Sequence, residues 1–277
     1  MTSRQRDDVF ERWRREIGSW GIPDEILAKA PESPWGFPVE LFRVRAREDG
    51  QEASPSTARA REALPAGGSV LDVGVGGGAA SLPLADRARV IVGVDRSEEM
   101  LALFRDAARE RGVATNEILG GWPEVETEVP ACDVLVCHHV LYNGTDLERF
   151  VPPLDGHARR RVVIEMTPAH PLAWMADLWR RFHHLERPAG PTADDALAAI
   201  HALGFDAHRE DHEVRSSGGF ERREDAIALV RRRLCLPKER DDEIADAIGA
   251  RLVERDGLWS TGPPREALVT LWWDVAR

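Results

Sequence analysis

The sequence predicts an α/β protein: a mostly parallel seven-stranded sheet with helices on both faces, a helical cap before it and a helical insertion ahead of the last strand. Three observations predict it. Seven short apolar or β-branched runs are spread through the chain, and helical patterns separate most of them, which is the rhythm of right-handed βαβ units. The first run opens into a glycine-rich turn. The second closes on an acid, Asp95, about twenty residues past the first glycine of that turn.

Taken in order, Phe10, Trp13, Ile17 and Trp20 recur at three- and four-residue spacing, giving an amphipathic first helix. A short apolar stretch at Ile26 and Leu27 follows, then a rigid loop with Pro31, Pro34, Trp35, Gly36, Phe37 and Pro38. Residues 1–55 are assigned to an N-terminal helical lid and 56–277 to the sheet domain. Ser54 and Pro55 read as a helix N-cap and first helical residue, with the helix ending near Pro65, Gly67 and Gly68. Strands are expected at Ser69–Val73, Val90–Val94, Asn116–Leu119, Asp133–Cys137 and Arg161–Met166. A helix beginning near Thr192 precedes strands at Asp206–Val214 and Leu268–Val275. Between those two, helical stretches at Glu224–Leu236 and Asp241–Glu254, parted by Pro237, form the insertion at about 220–260. Adjacent Trp272 and Trp273 should face opposite sides of the last strand.

The strongest motif is Val70-Leu71-Asp72-Val73-Gly74-Val75-Gly76-Gly77-Gly78. Glycines let the backbone bend sharply and approach a ligand, and a helix expected after the turn would offer free N–H groups. Read as Gly74-x-Gly76-x-x-Ala79, it also fits a dinucleotide fingerprint. A carboxylate at Asp95 is placed to accept hydrogen bonds from both hydroxyls of a ribose, or simply to cap the next helix, although Ser97 already suits that cap.

The segment from Val70 to about Tyr142 resembles the core of the class I S-adenosylmethionine-dependent methyltransferases, whose fold is Rossmann-like. That family carries an acid two residues before the first glycine, and Asp72 occupies the position; dinucleotide-binding domains more often have an apolar residue there. The resemblance implies S-adenosylmethionine as cofactor and S-adenosylhomocysteine as product. It places Asp72, Val73, Gly74 and Gly76 along the cofactor, Asp95 on the ribose, and Arg96 and Met100 beside the adenine. Gly121 and Trp122, after the third strand, match the turn that meets the adenine edge, with an ordinary packed tryptophan as the alternative for Trp122. The fourth strand and its exit, Asp133 to Tyr142, would bring His138 beside the methionine part of the ligand. The Asn/Asp-Pro-Pro-aromatic tetrad of exocyclic-amine methyltransferases is missing there, which argues against an adenine or cytosine amine as acceptor.

Methyl transfer is an in-line displacement that requires a positioned nucleophile and sometimes a base. His139, and after it His138, are the candidate bases, because they stand where ligands of open α/β sheets bind and imidazole accepts protons near neutral pH. Packing or backbone hydrogen bonding is the competing role. Tyr142, Asn143, Glu165 and His170 border the same rim. The pairs His138-His139 and His183-His184 are adjacent in sequence and so diverge; no metal is assigned.

Bulk properties narrow the partners. With 43% hydrophobic and 31% charged residues the chain is not disordered by composition. A net charge of -11 repels phosphate backbones, so nucleic acid is a poor substrate and a small-molecule methyl acceptor is favoured. No apolar run is long enough for a membrane span and the first residues are polar, so a cytoplasmic protein is expected. Three cysteines without C-x-x-C spacing suggest reduced, buried thiols. The leading expectation is a methyltransferase (EC 2.1.1.-) acting on an O, N or C nucleophile. Its rivals are an NAD(P)-dependent oxidoreductase, disfavoured by Asp72 and by the lack of a lysine near the one tyrosine, Tyr142, and a non-catalytic nucleotide-binding protein. Oligomeric state is left open.

Overall fold

A computed structural model describes residues 3–35, 54–215, 219–261 and 265–276. Gly36, Phe37 and Pro38 of the expected loop, and the remainder of the expected lid to residue 53, lie outside the described residues. The main sheet has seven strands, in the order β3-β2-β1-β4-β5-β9-β6. These are β1 (Gly68–Val73), β2 (Ala88–Asp95), β3 (Ala114–Leu119), β4 (Cys132–His138), β5 (Ala158–Met166), β6 (His208–Arg215) and β9 (Arg265–Asp274). The pairs β1–β2, β2–β3, β1–β4 and β4–β5 are parallel, and β9 runs antiparallel between β5 and β6. Strand order reverses between β1 and β4, which puts the ligand-binding crevice of such a sheet beyond the C-terminal ends of those two strands.

Both faces are covered. On one, Leu71, Val73, Leu135, Cys137, Val162 and Ile164 are buried with α1 (Ser3–Gly18), α5 (Leu147–His157) and α7 (Ala193–Ala202). On the other, Val70, Ile91, Val134, Val136 and Val163 pack under α3 (Pro55–Ala63) and α4 (Glu98–Glu110). Burial on both faces explains why the parallel strands read as continuous apolar runs. Trp273 joins the first core and Trp272 the second, as strand alternation requires. The helices begin where their caps dictate: Ser54, Ser97 and Thr192 accept from the N–H groups of Thr57, Met100 and Asp195, and Thr192 with Asp195 completes a capping box.

Of the described part of the expected lid, α1 is woven into the sheet's own core and the short α2 (Asp24–Leu27) lies outside it. Phe10, Trp13 and Ile17 of α1 belong to it. The Trp13 indole donates to the Gly144 carbonyl at 2.8 Å and Trp20 to Gly190 at 2.7 Å. A separate apolar cluster joins α6 (Ala176–His183), α8 (Arg223–Arg233) and α9 (Asp241–Ile248), with Ile22 and Ile26 packed against it.

Two expectations are corrected. No α-helix follows the glycine turn: the first crossover is residues 74–87, with only a three-residue 3-10 turn at Leu82–Leu84. Gly74, Gly76 and Gly78 all adopt positive φ, which takes the turn out of helical conformation, and Pro83 lacks the N–H that a continuing helix would use. The second helical stretch of the insertion stops at Ile248, because Gly249 takes φ 56°. A hairpin of β7 (Val253–Arg255) and β8 (Leu258–Ser260) follows instead.

Candidate active site

The glycine turn is shaped by close packing. Gly74 has φ 77°, and a Cβ there would collide with the Val140 side chain from the exit of β4. At Gly78, φ is 87° and an added Cβ would lie 2.7 Å from Leu82 and 2.8 Å from Phe104. Gly74→Ala is therefore expected to destabilise the protein by roughly 2–4 kcal/mol, the sum of a left-handed conformation and an overpacked contact. Urea denaturation should show this as a lower midpoint at unchanged m-value; an unchanged midpoint would mean that the turn yields to admit the methyl group.

Asp95, half-buried at the tip of β2, reaches back to this turn. Its Oδ2 accepts the Gly76 N–H at 2.9 Å and its Oδ1 accepts the Ser97 N–H at 2.9 Å. Each oxygen retains acceptor capacity. Arg96, mostly exposed, lies across Gly121 and pairs with Glu124 at 3.5 Å, so the expected adenine-side residues Arg96 and Gly121 come together. Met100 stands one turn into α4, its N–H held by Ser97. Trp122 goes elsewhere: its ring is buried in the core, donates to the Phe150 carbonyl at 3.1 Å and meets His157 edge-on. The packing role accounts for it fully.

Asp72 is completely buried on β1, beside Val73. Ser81 donates to its Oδ2 at 2.6 Å, while Oδ1 has no partner among the described residues. Burial pushes its pKa up to about 7, opposed by the Ser81 hydrogen bond and aided by the charge of Asp95. Such an acid accepts a cationic neighbour readily.

At the end of β4 the two adjacent histidines, expected to diverge, come to the same carboxylate oxygen of Glu165, because His139 turns back at φ 60°. His138 is mostly buried, its Nε2 has no partner among the described residues, and burial lowers its pKa. His139 is 43% exposed in its side chain and has φ 60°. Glu165, next to His138 across β4 and β5, places Oε1 3.6 Å from His138 Nδ1 and 3.3 Å from His139 Nε2. Three further groups close around this carboxylate that local patterns could not mark: Ser56 of α3, His212 of β6 and Thr270 of β9. They lie far apart in sequence, and only the sheet unites them.

The other rim residues are structural in their contacts. The Tyr142 hydroxyl donates to the Thr167 carbonyl at 2.7 Å, and burial raises its pKa to about 12. His170 stacks on Trp20 at 4.0 Å between ring centroids, and burial, with Arg187, lowers its pKa to about 4. Asn143 is exposed. No metal-holding cluster occurs among the described residues.

Comparison with known proteins agrees with this architecture. Residues 70–154 match a methyltransferase domain family. A ubiquinone biosynthesis O-methyltransferase of Rickettsia felis is 28% identical over 90 residues, which is 32% of this chain and 36% of that protein, so the match spans about a third of the relative's length. Among solved structures, a candidate methyltransferase of Bacillus halodurans C-125 aligns with TM-score 0.51 at 16% identity, covering 82% of this chain and all of its own (100%). A cyclopropane-fatty-acyl-phospholipid synthase-like protein of Lactobacillus casei aligns with TM-score 0.53 at 15% identity, over 91% and 98% of the two chains. The matched domain and the β3-β2-β1-β4-β5-β9-β6 sheet together give this chain the Rossmann-like fold of the class I S-adenosylmethionine-dependent methyltransferases.

Proposed function

We propose that the chain is an S-adenosylmethionine-dependent methyltransferase that methylates a small-molecule O, N or C nucleophile in the cytoplasm. The observation that carries the proposal is the Asp95 carboxylate, fixed against the Gly76 and Ser97 N–H groups at the point where strand order reverses. When bound, the cofactor supplies a methyl group on a positively charged sulfur. The residues present fit it. Asp95 would accept from the ribose hydroxyls, Arg96, Met100 and Gly121 would border the adenine, and Val73, Gly74 and Gly76 would line the chain between. The unpartnered Asp72 Oδ1 is a buried acceptor suited to the cationic end of such a ligand. His138 would pack beside the methionine part, and His139, partly exposed at the rim, would take a proton from the acceptor where one must leave.

The rival dinucleotide reading loses its main support in the first crossover. A pyrophosphate is stabilised by the free N–H groups and dipole of a helix N-terminus, and no α-helix follows this glycine turn. The net charge of -11 and the name of the Rickettsia felis relative, a ubiquinone biosynthesis O-methyltransferase, support a small molecule over nucleic acid. Thermal unfolding separates the readings, because a ligand bound only by the native state raises the midpoint. S-adenosylhomocysteine and S-adenosylmethionine should raise it and NADH should not; stabilisation by NADH alone overturns the proposal. Formation of S-adenosylhomocysteine on turnover distinguishes an enzyme from a protein that only binds.

A further inference from the structure

Glu165 is 7% exposed, yet three imidazoles and a hydroxyl converge on it. His138 Nδ1 lies 3.6 Å and His139 Nε2 3.3 Å from Oε1, and His212 Nε2 lies 3.5 Å from Oε2. Ser56 donates to Oε2 at 2.5 Å, and its Oγ is 2.6 Å from the Thr270 hydroxyl. Burial works to neutralise this acid, but the facing histidines outweigh it and hold its pKa well below the usual carboxylate range. Glu165 is therefore a buried negative charge whose neighbours differ in one respect. His138 and His212 have side chains only 11% and 8% exposed, whereas His139 is 43% exposed.

His139 is also tied to Glu165 through the backbone. Its N–H donates to the Glu165 carbonyl at 2.7 Å, and it takes φ 60°, a left-handed conformation that a non-glycine residue holds only when its surroundings impose it. The main-chain bond thus holds His139 beside Glu165 with Nε2 3.3 Å from Oε1, at the C-terminal end of β4 where the crevice opens.

Building on the methyltransferase reading, we propose that Glu165 is a positioning residue that receives the Nε2–H of His139 and leaves His139 Nδ1 as the proton acceptor for a hydroxyl-bearing substrate. The acceptor's O–H proton passes to Nδ1, the oxygen forms its bond to the methyl carbon, and the sulfur keeps the electron pair of the bond that breaks. The imidazolium formed is stabilised by the Glu165 carboxylate, as a carboxylate behind an imidazole does in hydrolytic triads. Ser56 holds the far oxygen and so fixes the carboxylate's orientation. An acceptor with no proton to lose has no use for this arrangement, which favours a protic acceptor, a hydroxyl among them.

The test is the tautomer of His139, read by two-bond 1H–15N correlation spectra of the full chain at pH 8 with and without S-adenosylhomocysteine. His139→Gly identifies the signals and relieves the positive φ, so it should keep the fold with an equal or higher melting temperature. The wild type is expected to show His139 protonated at Nε2, and Glu165→Gln to lose that preference while its Kd for S-adenosylhomocysteine stays within about twofold. An Nδ1–H pattern in the wild type overturns the proposal even if Glu165→Gln fails to fold; so does an unchanged Nε2–H pattern in Glu165→Gln. Absence of S-adenosylhomocysteine binding by the wild type would instead sink the methyltransferase reading, and the tautomer measured without ligand would still report on Glu165.

Discussion

Asp95→Ala is expected to weaken S-adenosylhomocysteine binding by roughly 5- to 150-fold, the equivalent of about 1–3 kcal/mol for loss of hydrogen bonds to a charged acceptor. The effect has two sources. The variant cannot accept from ribose hydroxyls, and it strands the N–H groups of Gly76 and Ser97 that the carboxylate now satisfies. Asp95→Asn separates them, since its one remaining carbonyl oxygen still serves one of those N–H groups and a neutral acceptor is about half as strong. Calorimetry should order the affinities wild type, Asn, Ala. Unchanged affinity in the alanine variant would remove Asp95 from the site and with it the main support for the adenosyl ligand.

The second large effect concerns Asp72 and is read as a dependence on pH. Its folded pKa of about 7 lies above the ordinary 3.8, so between those values the folded protein holds a proton that the unfolded chain has released. Stability from this group is thus greatest below pH 4, declines as pH rises, and levels off above 7, with a ceiling of roughly 4 kcal/mol for the whole shift. Asp72→Asn removes the decline: its melting temperature should exceed that of the wild type at pH 8 and converge with it near pH 4. Cofactor affinity should move the opposite way. A cationic ligand favours ionised Asp72, so in the wild type binding tightens with rising pH up to about 7, approaching tenfold per unit on the acidic side. In Asp72→Asn that dependence should flatten and affinity at pH 8 should fall. A variant that binds as tightly as the wild type at pH 8 would show that the buried carboxylate serves the fold alone.

How much of this was legible in the sequence depended on the range of the interactions. β4 was readable because sheet burial on both faces demands an unbroken apolar run such as Val134–Cys137, and β1 because Val70, Leu71 and Val73 flank a single acid. Helix starts were readable because Ser54, Ser97 and Thr192 cap within three residues. The missing crossover helix was not, because a glycine turn is locally compatible with either outcome and nothing in the motif fixes the positive φ that Gly74, Gly76 and Gly78 adopt. The β7–β8 hairpin did leave a signal: Asp256-Gly257, both at positive φ, is the pair that tight hairpin turns prefer. At the site, Asp72 and Asp95 were visible from their place beside the glycines. The ring around Glu165 was not, since Ser56 and Thr270 meet across 214 positions and no local pattern can encode that.

The N-terminal helix has a consequence for how the protein is made. Trp13 and Trp20 bond to carbonyls 131 and 170 positions downstream. At about 5–20 residues per second, a ribosome needs on the order of 10 s or more to deliver those partners. Throughout that interval Phe10, Trp13 and Ile17 face water on the nascent chain as an unburied greasy stripe. Helix α1 thus docks only after those downstream partners have emerged, which leaves its apolar stripe a natural handle for a chaperone during translation.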